Sequence, residues 1–170
     1  MLSGELLSEA YGRVGGVVRS VLRQAGPALL EYRADPEANS IAWLVWHLTR
    51  VQDGHVSELL GEEQLWTSDG WAAKFDLPFS AAETGYGQTT EQVGGVRASA
   101  ELLGGYFDAV HTRTLAYLPT LAPDDLDRVV DTSWNPPVTL GARLVSVLAD
   151  DLQHAGQAAF VRGLAVRSGV

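Results

Sequence analysis

Apolar residues recur at spacings of three and four along four separate stretches of the chain. That period is the one a helix with a single buried face demands. The stretch after Ser40 shows it most clearly, with Ile41, Leu44, Val45, Leu48, Val51, Val56, Leu59 and Leu60. Asn39 or Ser40 can cap its start through a side-chain oxygen, and Gly61 suits the left-handed position that ends a helix after Leu60. An earlier stretch, Ser3 to about Gln24, carries Leu6, Leu7, Tyr11, Val14, Val17, Val18, Val21 and Leu22. Ser3 is its expected cap, and Gly26-Pro27 stops it. A third stretch opens on a capping box of Thr89 and Gln92 and is expected to run unbroken to Leu118, where Pro119 closes it. The fourth begins near Thr139 and runs to about Val166, with Leu140, Leu144, Val147, Leu148, Leu152, Ala155, Ala159, Phe160 and Leu164 on its stripe.

Four amphipathic helices with no strong strand signal predict an all-α fold, a four-helix bundle. At 170 residues the chain is expected to form one domain, residues 1–170. The short link between the first two helices makes them an antiparallel pair. Residues Gly61 to Thr89 keep no period and hold Trp66, Trp71, Phe75, Phe79 and Tyr86. They are too long for a plain connection and are expected to cross the bundle, with one helical turn at Ala72–Phe75. The connection before the last helix ends in Trp134-Asn-Pro-Pro137, and its prolines are expected to exclude regular structure.

The chemistry concentrates on two helices. Asp150 and His154 are four residues apart, so on a helix they share a face. His47 interrupts the apolar run Ile41 to Leu48, beside Trp43 and Trp46. Two imidazoles and a carboxylate make a three-ligand set that leaves positions open on Zn²⁺, Ni²⁺ or Fe²⁺. The competing reading is a surface ion pair between Asp150 and His154, with His47 a packed core residue. Asp151, about 100° round the helix from Asp150, is the alternative ligand if the helix phase differs. His55 returns within ~80° of His47 and can line the same cleft. Gln157 and Arg162 follow His154 on the last helix. Either they contact a polar or anionic substrate, or Gln157 orients His154 and Arg162 serves as a cation near a helix end. His111 is expected on a solvated face.

Charge and composition exclude other classes. The net charge is −9, and eleven of the twelve basic residues are Arg, with no basic run. A nucleic-acid partner is therefore not expected. There is no cysteine, which removes disulfides, thiolate–zinc sites and a cysteine nucleophile. The N-terminus lacks a signal-peptide pattern, and no apolar run approaches the ~18–20 residues of a membrane span. A cytoplasmic location without a membrane partner is the resulting expectation.

Asn39-Ser-Ile-Ala-Trp-Leu-Val-Trp-His-Leu48 and Asp150-Asp-Leu-Gln-His-Ala-Gly-Gln157 resemble the two signature segments of the DinB/YfiT-like superfamily. The nearest branch is the actinobacterial group that includes mycothiol-dependent enzymes. The resemblance implies a four-helix bundle, usually a homodimer, with a divalent metal on one helix 2 His and two helix 4 ligands. Those positions are His47, Asp150 and His154, and Asp150 stands where the family commonly has His. The resemblance further implies a low-molecular-weight thiol such as mycothiol as cofactor, a small-molecule substrate and an S-transferase activity. In that reading the metal is zinc, with nickel or iron as alternatives, His55 and Gln157 assist catalysis, and Arg162 contacts the cofactor. The rival expectations are a hydrolase that uses the same metal and a non-catalytic binding or dimerisation bundle.

Overall fold

The computed structural model describes residues 2–170. The first helix, α1, spans Ser3–Leu22. Ser3 is its first helical residue and not its cap; the Glu5 carboxylate accepts the Leu2 amide at 2.8 Å and closes the helix start. A single turn, α2 (Pro27–Leu30), leads to α3 (Ile41–Leu60). Ser40 Oγ accepts the Trp43 amide at 3.1 Å, and Gly61 takes the left-handed conformation at φ 69°.

The aromatic crossover contains two short helices, α4 (Leu65–Ser68) and α5 (Trp71–Phe75). Trp66 and Phe75 are buried in the main core with Trp46, Leu103 and Phe107. The crossover is fastened where it leaves α3. Asp53, fully buried, accepts hydrogen bonds from the Leu65 amide (3.0 Å), the Trp66 amide (2.8 Å) and the Tyr106 hydroxyl (2.8 Å). Arg113 pairs with the same carboxylate at 2.5 Å, so the buried charge is compensated.

The third stretch departs from the expected unbroken helix. The Thr89–Gln92 capping box forms, but it starts only the short α6 (Thr90–Gly94). Gly94-Gly95 supplies no side chain to favour continuation. The chain turns there, buries Val96 in the core and restarts as α7 (Ala100–Tyr117) under a Ser99 cap. In the connection before the last helix Trp134–Pro137 carries no regular structure, as its prolines imply, but the residues on either side pair. Two short antiparallel strands, β1 (Val129–Asp131) and β2 (Val138–Thr139), flank the Trp134–Pro137 tip. Their β-branched residues suit extended backbone, and the prolines are confined to the turn.

The last helix, α8, spans Leu140–Arg167 under a Thr139 cap. The long helices α1, α3, α7 and α8 form the bundle, as the periodicity predicted, and α3 packs most extensively on α8. That contact sets His47 against Asp150 and His154. No helix among the described residues is long and apolar enough to cross a membrane.

Candidate metal site

His47 reaches the site from the buried face of α3, and its ring is fixed on three sides. Trp43, one turn earlier, stacks on it with ring centroids 4.6 Å apart and planes 14° from parallel. The Trp43 indole N–H donates to Gln88 Oε1 at 2.8 Å. The His47 Nδ1–H donates to the Thr84 carbonyl at 2.5 Å. Gly85 completes the cradle: a Cβ there would lie 2.5 Å from His47 Nδ1, and its φ is +103°. Both the space and the backbone conformation require glycine.

On α8, the Nδ1–H of His154 donates to Gln157 Oε1 at 2.8 Å, and its Nε2 lies 3.5 Å from Asp150 Oδ1. The rings of His47 and His154 meet edge to face with centroids 4.8 Å apart. Because each Nδ1 is engaged by an acceptor, Nε2 is the nitrogen each ring has left to offer a cation. One donor atom from each of His47, Asp150 and His154 lies within 4.8 Å of the others. Asp150 Oδ2 is buried without a hydrogen-bond partner. Two oriented imidazoles and an unsatisfied carboxylate oxygen fit a divalent cation.

The electrostatics agree with that chemistry. Burial holds the His47 imidazole below its ordinary pKa, outweighing the Thr84 carbonyl, so the ring is neutral at pH 7. His154 is held above its ordinary value by its contact with Asp150, against the opposing effect of burial. Burial pushes the Asp150 carboxyl up, but the imidazoles of His154, His47 and His55 together bring it below the usual carboxylate range. A proton and a divalent cation thus compete for the same lone pairs.

The cleft in front of these residues has a volume of about 300 Å³ and is lined by His47, Val51, His55, Thr84, Tyr86, Ser146, Val147 and Asp150. This combination of an α3 His and an α8 Asp/His pair falls within a chain that matches the DinB superfamily over residues 10–158. The chain belongs to the DinB superfamily. It also resembles a conserved protein from Enterococcus faecalis of known crystal structure. The two share 33% identity, 98% of each chain is covered, and the TM-score is 0.91. No curated protein matches the chain.

Against this DinB-superfamily framework the remaining candidate residues separate. His55 lines the cleft, and burial together with Arg143 keeps its imidazole below the ordinary value. Gln157 touches the His154 ring and is not part of the cleft lining. Arg162 is held away from the cleft. Its guanidinium donates to the Val21 and Arg23 carbonyls at 2.8 and 3.0 Å, at the C-terminal end of α1. There the exposed carbonyls of the helix end favour a cation.

Asp151 faces the bundle interior instead of the cleft, with 0% of its surface exposed. Burial pushes its carboxyl well above the usual range. His111 corrects the expectation of a solvated face. It is 2% exposed, stacks on Phe107 at 4.9 Å and lies against Gly15 of α1.

The crossover tip, Thr84 to Gln88, also belongs to the site, outside the residues expected to form it. A readable signal existed in Gly85-Tyr86-Gly87, an aromatic residue bracketed by glycines in a stretch without periodicity.

Proposed function

We propose that the chain is a divalent-metal-dependent enzyme, a low-molecular-weight-thiol S-transferase acting on small electrophiles. The single observation that carries the metal reading is the convergence of His47, Asp150 and His154, with Asp150 Oδ2 buried and unpaired and the cleft lined by His47 and Asp150. In this reading His47 and His154 present Nε2, and Asp150 presents a carboxylate oxygen. Bound there, the metal supplies positive charge that favours thiolate over thiol.

The chain's own residues do the rest. Thr84 and Gln157 fix the two imidazole tautomers. His55 borders the cleft, and burial together with Arg143 keeps its imidazole neutral at pH 7, so the ring can accept a proton. It takes the thiol proton as the sulfur forms its bond to the electrophilic carbon, and the leaving group departs with the electron pair of the bond it held to that carbon. With no cysteine in the chain, the nucleophilic sulfur comes from a cofactor, and a mycothiol-like thiol is the class proposed.

Metal analysis of untagged protein tests the foundation. Wild type is expected to take up about one zinc per chain, and Asp150→Ala to lose it, with Asp151→Ala folded and still able to load. Absence of zinc from reconstituted wild type refutes the proposal. Turnover of an electrophile with water alone, at the rate seen with thiol, points instead to a hydrolase.

The proposed assembly is a homodimer through α8. Val145, Leu152, Phe160 and Val166 are exposed on this helix, Phe160 by 64%. Ala149, Gly156 and Ala159 fill the positions between them, and the charge on the face is confined to its C-terminal end, where the Arg167 guanidinium lies over Gly163. Light scattering should read a dimer for wild type and a monomer for Leu152→Asp/Phe160→Asp.

A further inference from the structure

The mouth of the cleft carries an aromatic ring with little packed around it. Tyr86 lines the cleft with His47, His55 and Asp150, yet 92% of its surface is exposed. It stands between Gly85 and Gly87, both at positive φ. The tip is nevertheless held in place at its base, because Thr84 accepts from His47 and Gln88 accepts from Trp43. A ring presented to solvent from a pinned backbone is available to cover something that enters beneath it.

The other walls define what that is. Val51 and Val147 are apolar, and no Lys or Arg lines the cleft among the described residues. The nearby cations are held outside it. Arg143 pairs with Asp131 at 2.6 Å, and Arg50 donates to Gln64 at 2.6 Å while lying over the Trp66 ring. A cleft of about 300 Å³ is at the small end for ligands, large enough for one ring and its reacting group. Two valines and a tyrosine face offer a flat apolar group dispersion and stacking, and offer an anion nothing.

We propose that Tyr86 is the specificity-determining wall of this cleft, and that it selects substrates carrying an uncharged planar ring beside the group that approaches His47, Asp150 and His154. The inference rests on the metal reading above. It is tested by binding two probes to zinc-loaded protein, benzohydroxamate and acetohydroxamate. Both chelate zinc, and they differ in carrying a phenyl or a methyl group.

Wild type is expected to bind benzohydroxamate more tightly. Tyr86→Ala should weaken benzohydroxamate by about 3–10-fold, the range of one aromatic pair, and leave acetohydroxamate and zinc stoichiometry unchanged. Tyr86→Phe should restore the phenyl preference. A phenyl preference that survives intact in Tyr86→Ala, or is missing from wild type, overturns the assignment while the metal centre stands. Failure of wild type to take up zinc overturns the metal reading, and this inference with it.

Discussion

The carbonyl oxygen of Thr84 stands 2.5 Å from Nδ1 of His47, 37 residues away in the chain. The aromatic crossover is therefore part of the site. It dictates which nitrogen of His47 carries the proton and holds the ring at the angle that meets His154. An interaction of this kind around a metal ligand is worth roughly 10–100-fold in affinity.

Gly85→Ala follows directly. The added methyl would stand 2.5 Å from His47 Nδ1 and 3.0 Å from Trp43, on a backbone at φ +103°. The ring must move. Zinc affinity by calorimetry should drop by about 10–100-fold, with the helical circular dichroism retained. Unchanged affinity would show that His47 is not a ligand in this orientation.

The buried His111 gives a pH signature apart from the metal. Burial and the nearby Arg19 hold its folded-state pKa below the unfolded value. The unfolded chain therefore binds the proton first, and stability falls as pH drops through about 6.5, the ordinary imidazole value. His111→Leu should narrow the stability gap between neutral and acidic buffer, read by urea denaturation at both pH values. An equal gap in variant and wild type would assign the acid sensitivity to other groups.

Asp53 and Arg113 form a buried pair, and removing one partner strands the other. Asp53→Ala should cost about 3–5 kcal/mol. It also releases the amides of Leu65 and Trp66, so limited proteolysis should cut first within the crossover. A stability loss with no new cleavage there would separate the pair's energetic contribution from its role as the crossover's anchor.

Two glycines of α1 should respond in opposite directions. A methyl at Gly12 meets nothing within 4 Å, so Gly12→Ala should stabilise by about 0.5–1 kcal/mol. At Gly4 the methyl would collide with the Leu118 carbonyl oxygen, which belongs to backbone and cannot yield cheaply. Gly4→Ala should lower Tm despite the gain in helix propensity, by an overpacking cost of about 1–3 kcal/mol.

The helices and the pairing of Asp150 with His154 were legible because both depend on local period, while His47 meets that pair only through the packing of α3 on α8. Ser40 and Gly61 bounded α3 correctly through cap chemistry, and the four-residue spacing of Asp150 and His154 required a shared face. The stripe expected on the last helix was out of phase over its second half: Leu152 and Phe160, counted on it, are 46% and 64% exposed, and Asp151, Ala158 and Val161 take the buried face instead. Features set by long-range packing were not legible. The break after Gly94 depends on Val96 reaching the core, and Ser99 could be seen as a cap only once that break was known. His111 looked solvated because Asp108 and Arg113 flank it, but Phe107 and Gly15 enclose it. Arg162 found its partners on α1, which nothing in its own helix announces.

The position of Tyr86 bears on how relatives of this chain diverge. The three proposed donors, His47, Asp150 and His154, sit on two rigid helices, while the ring at the cleft mouth hangs between two glycines. A lineage can exchange the residue at this one exposed position without disturbing either helix or the bond between Thr84 and His47. New preferences can therefore arise by single substitutions at little cost to foldability, and residue 86 is where duplicated copies of such a gene should first part company.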